Sequence, residues 1–481
     1  MFDITIIGAG IVGCSIAREL SKYKLNLCIL EKQDDVSCGA SKANSGIVHG
    51  GYSDIPGTLK AELCVKGNRM YENLNNELNF GYRQTGSLVL AFNDTEKTHL
   101  EELYTNGIKN GVQGMEIING QKVMEMEPHI SKNVKWALYC KNAGVCSPYE
   151  MTIALAENAV ENGVDLKLEH EVMSIIKKQG YFEIVTNKGK IESRYVINAA
   201  GAYSDKISNM LGLNYFSIIP RKGQYVIFNK DQSYLINSVI FQVPTEKGKG
   251  ILVTTTYHGN LMIGPNAQEV SDRNDVSTDE EMLEYIVKTA EKSVSGFNMK
   301  KAITSFAGVR PTSSTKDFII EETEVKGFVN VAGIDSPGVT SSPAIALKVV
   351  DIISEMGMKL EKNKEFNSYR KPIIVKKDEK FVGDINSEDP KTHIICRCEK
   401  VTEAEILDAL RRPIKTNSID GIKRRTRAGM GMCQGMFCQP RVRKIIAREL
   451  KIDEDEVKRR GPGSSILPKR ASRSHIMNLK K

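Results

Sequence analysis

Three observations predict an α/β fold of the mixed α+β kind. The first is a strand–turn–helix–strand period change within residues 1–31. The others are alternating strand-like stretches between residues 181 and 264, and four closely spaced cysteines in the last fifth of the chain. The 481 residues, at roughly 100–200 per domain, predict two to four domains, each able to bury a core. With 41% hydrophobic and 26% charged residues, the chain is neither disordered, fibrous nor a disulfide-stapled miniprotein. No apolar run approaches the roughly 18 residues that cross a bilayer. Met1-Phe2-Asp3 lacks the basic-then-apolar pattern of a signal peptide, so a cytoplasmic protein is expected. The net charge, 67 basic against 59 acidic residues or +8, does not demand nucleic acid. It suits an anionic substrate or peripheral attachment to acidic lipid on the inner membrane face.

The elements follow in order. Ile4, Ile6 and Ile7 form a short buried strand, Ile11, Ile16, Ala17 and Leu20 keep a helical period, and Leu25 to Leu30 form a second strand ending at Glu31. Helix-period segments recur at 59–78, 148–162 and 280–292, and strand-like stretches at 181–197, 223–229, 236–243 and 251–264. Residues 361–392 turn charge-rich and read as a solvated linker. Residues 451–481 read as a flexible basic tail.

Gly8-Ala9-Gly10-Ile11-Val12-Gly13 matches the dinucleotide pattern G-x-G-x-x-G, and Glu31 lies eighteen residues after Gly13. Gly8 allows the tight turn, Gly10 lets a pyrophosphate approach the backbone, and Gly13 lets the helix pack on the sheet. The helix N-terminus supplies N–H groups and partial positive charge, and Glu31 is placed to accept from ribose hydroxyls. This is a Rossmann-like unit, and both NAD and FAD use it. Two later segments favour FAD. Arg194 to Gly201 is a strand that stops in the small residues Ala199, Ala200 and Gly201. Val329 to Thr340 ends a strand and enters an apolar helix through a turn containing Gly333, Ser336 and Gly338. Both would meet one extended cofactor.

Gly39 to Gly51, with Pro56 to Ala61, Gly308-Val309-Arg310-Pro311 and Ser336-Pro337-Gly338, resembles the D-amino-acid-oxidase-type FAD oxidoreductases over about residues 1–355. Within them it is similar to FAD-dependent glycerol-3-phosphate dehydrogenases and to L-2-hydroxyglutarate oxidases. The resemblance implies a discontinuous FAD-binding domain (1–80, 146–215 and 305–360) interleaved with an antiparallel-sheet substrate domain (81–145 and 216–304). It implies that Ser41, Asn44 and Ser45 hydrogen-bond the cofactor, joined by Ala200, Gly201, Gly333, Ser336, Gly338 and Thr340. His49 is the candidate base, since an unperturbed imidazole titrates near ~6.5; packing beside the flavin is its other reading. His258 sits in a hairpin-turn sequence, Tyr257-His258-Gly259-Asn260. Arg310 is the candidate anion clamp, because guanidinium offers a planar fork for carboxylate or phosphate. Arg221 and Lys222 either add positive charge there or form a solvated edge.

Cys396-Arg397-Cys398, thirty-four further residues, and Cys433 to Cys438 supply four thiolates for zinc or a 2Fe–2S cluster. The C-x-C and C-x₄-C spacings depart from zinc ribbons and tilt towards iron–sulfur. Residues 393–450 resemble the bacterioferritin-associated-ferredoxin-like (BFD-like) domain, a small helical module carrying 2Fe–2S, although its stand-alone form has an x₂ second gap. Lys423 to Arg427 would offset cluster charge or dock an acidic partner. Together the resemblances imply oxidation of sn-glycerol 3-phosphate, with electrons leaving through the cluster to a partner subunit or quinone. Oxidation of L-2-hydroxyglutarate, or an electron-transfer subunit without substrate chemistry, are the alternatives.

Overall fold

A computed structural model describes residues 1–243, 250–375, 377–378, 380–461 and 464. The chain divides into two compact units, Met1–Pro372 and Ile373–Lys481.

The elements of the first unit that matter for the site are, in chain order, strand β1 (Phe2–Ile7), helix α1 (Ile11–Leu20), β2 (Leu27–Leu30), α2 (Leu59–Asn68), β3 (Gly189–Asn198), β4 (Ile218–Phe228), β5 (Ala302–Ser313), β6 (Phe328–Ala332) and α3 (Gly338–Glu355). β1 pairs in parallel with β2 on one side and β3 on the other, and β3 pairs in parallel with β6. Ile4, Ile6, Leu27, Ile29, Val196 and Ile197 are buried, so these strands read as continuous apolar runs, as parallel strands covered on both faces do. Helix α1 packs beside α3 and the helix Pro148–Glu161. A second, largely antiparallel sheet holds β4 against β5 from Ile218↔Ser313 to Phe228↔Ala302. Leu88, Leu90, Phe228, Val253, Ile263 and Ile286 form its core, with Ile286 on the helix Glu280–Ala290.

The 59–78 segment is two helices, Leu59–Asn68 and Tyr71–Leu78, rather than one. The 361–392 segment is not a free connector. Asn363 N donates to Lys22 O at 2.8 Å, Asn158 Nδ2 donates to Asn367 O at 2.9 Å, and Arg370 meets the fully buried Glu157 at 2.5 Å. Residues 361–372 therefore strap onto the first unit through backbone groups and one buried ion pair, which a count of charges along the sequence does not reveal. Ile373 already belongs to the core of the second unit.

That unit is a two-stranded hairpin (Ile394–Cys396 and Val401–Thr402) with helices α4 (Glu403–Arg411), α5 (Ile419–Thr426) and α6 (Gln439–Leu450). Thr402 and Glu405 close a capping box on α4. Ile395, Ile406, Leu410, Ile422, Val442 and Ile446 fill the core. Val457 is buried with them, and Lys458 exchanges backbone hydrogen bonds with Asn417 and Ile419. The expected tail thus begins later than residue 451; residues 462, 463 and 465–481 lie outside the described residues.

Gly67 on α2 makes the closest test of this packing, because a Cβ there would lie 2.1 Å from the carbonyl oxygen of Thr340 on α3. Gly67→Ala must push the helices apart, at a cost of about 1–3 kcal/mol. The measurement is thermal unfolding by circular dichroism: a midpoint lowered by several degrees is expected, and an unchanged one contradicts the contact.

Candidate functional site

The glycine fingerprint builds a cradle of bare backbone. Gly8 has φ +109°, and a Cβ on it would stand 2.5 Å from Ala199 O; a Cβ on Gly13 would stand 2.0 Å from Gly8 O. The turn, the start of α1 and the end of β3 are therefore in main-chain contact. Gly10 caps α1 without a side chain. One of the first-turn donors, Ile11 N, is taken by Ser41 Oγ at 2.9 Å. Ser41 thus joins the cofactor loop to the helix N-terminus. Glu31 accepts from Ala9 N and from Gln33 N, each at 2.9 Å, one on each oxygen. Burial raises its carboxyl above the usual range while those amides pull it down. Each oxygen keeps a second lone pair for a hydroxyl donor. Gly201 has φ +54° with open space where a Cβ would point, and Ala200 N donates to Asn198 Oδ1 at 3.3 Å. A carboxylate beside a helix start that carries no side chain at Gly10, with open space at Gly201, fits the ribose and diphosphate of a dinucleotide.

The loop from Ala40 to Gly51 lies between this cradle and the second sheet. Asn44 is spent inside it: its Nδ2 donates to Ala40 O and Ser41 O, and its Oδ1 accepts from Gly46 N. Ser45 is half-buried in the same bend. Thr340, fully buried in the first turn of α3, accepts from His49 N at 2.9 Å and donates to Ile47 O at 3.3 Å. Its hydroxyl therefore ties helix to loop. Asn68 Nδ2 donates to His49 O at 3.0 Å, and the His49 ring stands 6.0 Å from that of Phe241. The His49 backbone is held from both sides. Gly333 turns the chain at φ +69°, and Gly338 opens α3 immediately after Ser336 and Pro337. Between them Asp335 accepts from Thr312 Oγ1 at 3.0 Å and faces Lys60 Nζ at 2.7 Å.

A Cβ on Gly308 would lie 2.0 Å from Ala43 O, so β5 presses its backbone on the loop. Arg310, two residues on, shares that face of the strand. Its Nη2 donates to Asn266 O at 2.9 Å, while its Nε is buried without a partner. Arg221 is its register partner on β4, and its Nε too is buried and unpartnered. Lys222 faces the opposite way and pairs with Asp275 at 2.8 Å, holding that carboxyl down at about 2. Tyr225 and Phe306 stack at 4.6 Å further along the arginine face. His258 lies in the turn between two strands and is hydrogen-bonded to Glu150, which also accepts from Ser147 Oγ. The sequence offers Arg221 only as one of two adjacent cations; which of them faces the loop depends on strand register.

In the second unit the four cysteines come together in two pairs. Cys396 ends the hairpin's first strand, Cys398 lies in its turn, and Cys438 caps α6. Cys398 Sγ and Cys433 Sγ stand 3.8 Å apart. Two sulfurs on one tetrahedral metal with bonds of about 2.3 Å lie about 3.8 Å apart. Cys396 is hydrogen-bonded by Cys438, which with the Gly429 and Glu399 amides lowers its thiol to about 6 and pushes Cys438 up. Among the described residues no three His, Cys, Asp or Glu side chains converge on a single-ion site. Two thiolate pairs instead suit two irons. Gly431 is obligatory here, since a Cβ would fall 2.2 Å from that of Cys398. Arg424, Arg425 and Arg427 are buried, so the run Lys423 to Arg427 is not an exposed docking patch. Exposed positive charge lies instead on Arg397, with the half-buried Arg441, both stacked on Phe437 at 4.4 and 4.6 Å.

Two family models match. One, FAD dependent oxidoreductase, covers residues 3–352; the other, BFD-like [2Fe-2S] binding domain, covers residues 394–448. The chain belongs to the FAD-dependent oxidoreductases. Its cofactors are FAD and a 2Fe–2S cluster. A glycerol 3-phosphate dehydrogenase of Caloramator mitchellensis is 50% identical over 97% of this chain and 98% of that protein. An L-2-hydroxyglutarate dehydrogenase of Nematostella vectensis is 33% identical over 55% of this chain and 62% of that protein. Among solved structures, dithionite-reduced L-α-glycerophosphate oxidase of Mycoplasma pneumoniae with FAD bound has TM-score 0.73 at 30% identity, over 77% of this chain and 98% of that one. No described helix of this oxidoreductase is long and apolar enough to cross a membrane.

Serine at any of Cys396, Cys398, Cys433 or Cys438 is expected to lower bound iron and acid-labile sulfide by at least half, with flavin content unchanged. Cys146, whose thiol is raised by burial, is the control: Cys146→Ser leaves iron intact. Iron unaffected by the first four changes contradicts their role.

Proposed function

We propose that this oxidoreductase converts sn-glycerol 3-phosphate to dihydroxyacetone phosphate and passes electrons through its cluster to a separate acceptor. The observation that carries the reading is the extent of similarity. The dehydrogenase relative matches 97% of the chain, cluster unit included, whereas the oxidase structure matches 77%. An oxidase hands electrons from flavin directly to oxygen; a second, one-electron centre suits a dehydrogenase with its own acceptor.

Bound FAD supplies a two-electron acceptor for the hydride on the carbinol carbon, and the cluster a one-electron carrier. The chain's residues do the rest. Gly8, Gly10, Gly13, Glu31 and Ser41 hold the dinucleotide end of the cofactor, and Gly333, Ser336 and Gly338 border its other end. Arg310 holds the substrate's anionic group with donors that the protein leaves largely unspent. His49 takes the hydroxyl proton as the C–H bond breaks, its main chain steadied by Thr340 and Asn68 so that the ring is aimed rather than searching. The acceptor is a partner subunit or quinone. It meets the cluster where Cys398 is exposed beside Met432, Met436 and Phe437, which are 58%, 85% and 40% exposed.

Anaerobic addition of sn-glycerol 3-phosphate is expected to bleach the flavin absorbance; bleaching by L-2-hydroxyglutarate alone overturns the substrate assignment. His49→Ala should lower kcat by about 10²–10⁴-fold with flavin retained. Arg310→Ala should raise KM by about 10- to 100-fold, the value of a charge-assisted hydrogen bond. A normal kcat in the first variant or a normal KM in the second removes that residue from the mechanism.

A further inference from the structure

Two arginines face one another across neighbouring strands, and among the described residues neither is ion-paired with a carboxylate. In the antiparallel register of β4 and β5, Arg221 stands directly opposite Arg310. Side chains so paired leave the same face of the sheet with Cβ atoms about 4.5–5.5 Å apart, and like charges there are destabilising. Proteins ordinarily relieve such a pair with a carboxylate. The surroundings show the habit: Lys222 is paired with Asp275, Arg273 with Asp205, Arg370 with Glu157, and Lys60 with Asp335. Arg221 and Arg310 have no such partner among the described residues. Glu269, the register neighbour of Arg221 on its other side, is exposed and forms no ion pair with it.

The unspent donors are specific. Arg221 Nε, Arg310 Nε and Asn266 Nδ2 are each buried and without a hydrogen bond. Arg310 Nη2 reaches across Gly223, 3.3 Å from where a Cβ there would sit, to the main chain of Asn266, so bare glycine at 223 leaves room for the guanidinium beside Pro265. Leaving a buried donor unpaired is destabilising, and more so when it is charged. On the same face, Gly308 meets Ala43 of the loop that carries His49, and Tyr225 stacks on Phe306 to make an apolar flank.

We propose that Arg221 is the second arm of a two-guanidinium clamp with Arg310 that takes a dianionic phosphate ester, and that Arg221 sets the preference for phosphate esters over hydroxy acids and uncharged polyols. The proposal rests on the substrate reading above. Two fixed cations match a phosphate monoester carrying about −1.5 to −2 charge near neutrality, and its three terminal oxygens can accept from both forks and from Asn266. One cation would suffice for a single carboxylate, and the two carboxylates of 2-hydroxyglutarate sit at opposite ends of its carbon chain, whereas a phosphate ester carries both charges on one group.

The test uses the full chain loaded with FAD and cluster, as wild type, Arg221→Gln and Arg221→Lys. Inorganic phosphate is titrated into each by calorimetry, and turnover of sn-glycerol 3-phosphate, glycerol and L-2-hydroxyglutarate is measured with a dye acceptor. Flavin content and unfolding midpoint establish that each variant is folded. Arg221→Gln should weaken phosphate binding and raise KM for glycerol 3-phosphate by about 10- to 100-fold, with kcat within threefold. The kcat/KM ratio of glycerol 3-phosphate to glycerol should fall by the same factor, and Arg221→Lys should recover part of the loss. Phosphate affinity and KM within twofold of wild type in Arg221→Gln overturn the clamp. If wild type fails to oxidise glycerol 3-phosphate, the substrate reading falls; phosphate affinity that still depends on Arg221 then upholds the anion site by itself.

Discussion

Main-chain contact through glycine is the constraint on which this active site depends. Gly13 lies against Gly8, Gly8 against Ala199, Gly67 against Thr340 and Gly308 against Ala43, each at a distance that no Cβ could occupy. These four approaches bring the first turn, the end of β3, the start of α3 and the edge of β5 around one loop, Ala40 to Gly51. Backbone meeting backbone leaves little slack, because no side-chain rotamer lies between the elements to adjust. The hydroxyls of Ser41 and Thr340 then bind the loop to the starts of α1 and α3. His49 inherits its position from that frame.

Against the frame stands a wall of unbalanced positive charge. In the same sheet, Lys222 is neutralised by Asp275, while Arg221 and Arg310 keep buried nitrogens without acceptors. Folding tolerates this because the rest of the first unit is well packed. Apolar strands such as β1 and β2 sit covered on both faces, and the buried ion pair Arg370–Glu157 and the half-buried pair Arg18–Glu77 tie distant segments together. Unpaired positive charge is thus concentrated at one place in the sheet, with paired charges around it.

The second unit solves a different problem with similar means. A small core of Ile395, Ile406, Ile422, Val442 and Ile446 fixes three short helices and the hairpin, and the hairpin with the turn before α6 delivers thiols in pairs. Cys396 and Cys438 sit inside that core, whereas Cys398 is exposed. The paired sulfurs thus run from the apolar interior to the surface. Buried Arg424, Arg425 and Arg427 lie on and after α5, where their charge acts on the interior and is hidden from partners.

Much of this was legible in the residues because it is local. The fingerprint, its flanking strands and Glu31 occupy one continuous stretch, so spacing alone determined the turn, the helix start and the place of Glu31 beside them. The cysteine spacing likewise announced a cluster site. What depended on contacts between distant residues was not legible. The side chains of Asn44 and Thr340, residues expected at the cofactor, hydrogen-bond within the loop and to the His49 main chain. Residues 361–372, charged enough to read as a linker, are strapped down by partners such as Lys22, Glu157 and Asn158. Arg221 and Lys222 are adjacent and chemically alike, yet a strand's two-residue period sends them to opposite faces. The sequence by itself determined which groups were available for binding; the tertiary structure alone decided which of them were left unpaired, because hydrogen bonds and ion pairs are made by whatever the fold brings within reach.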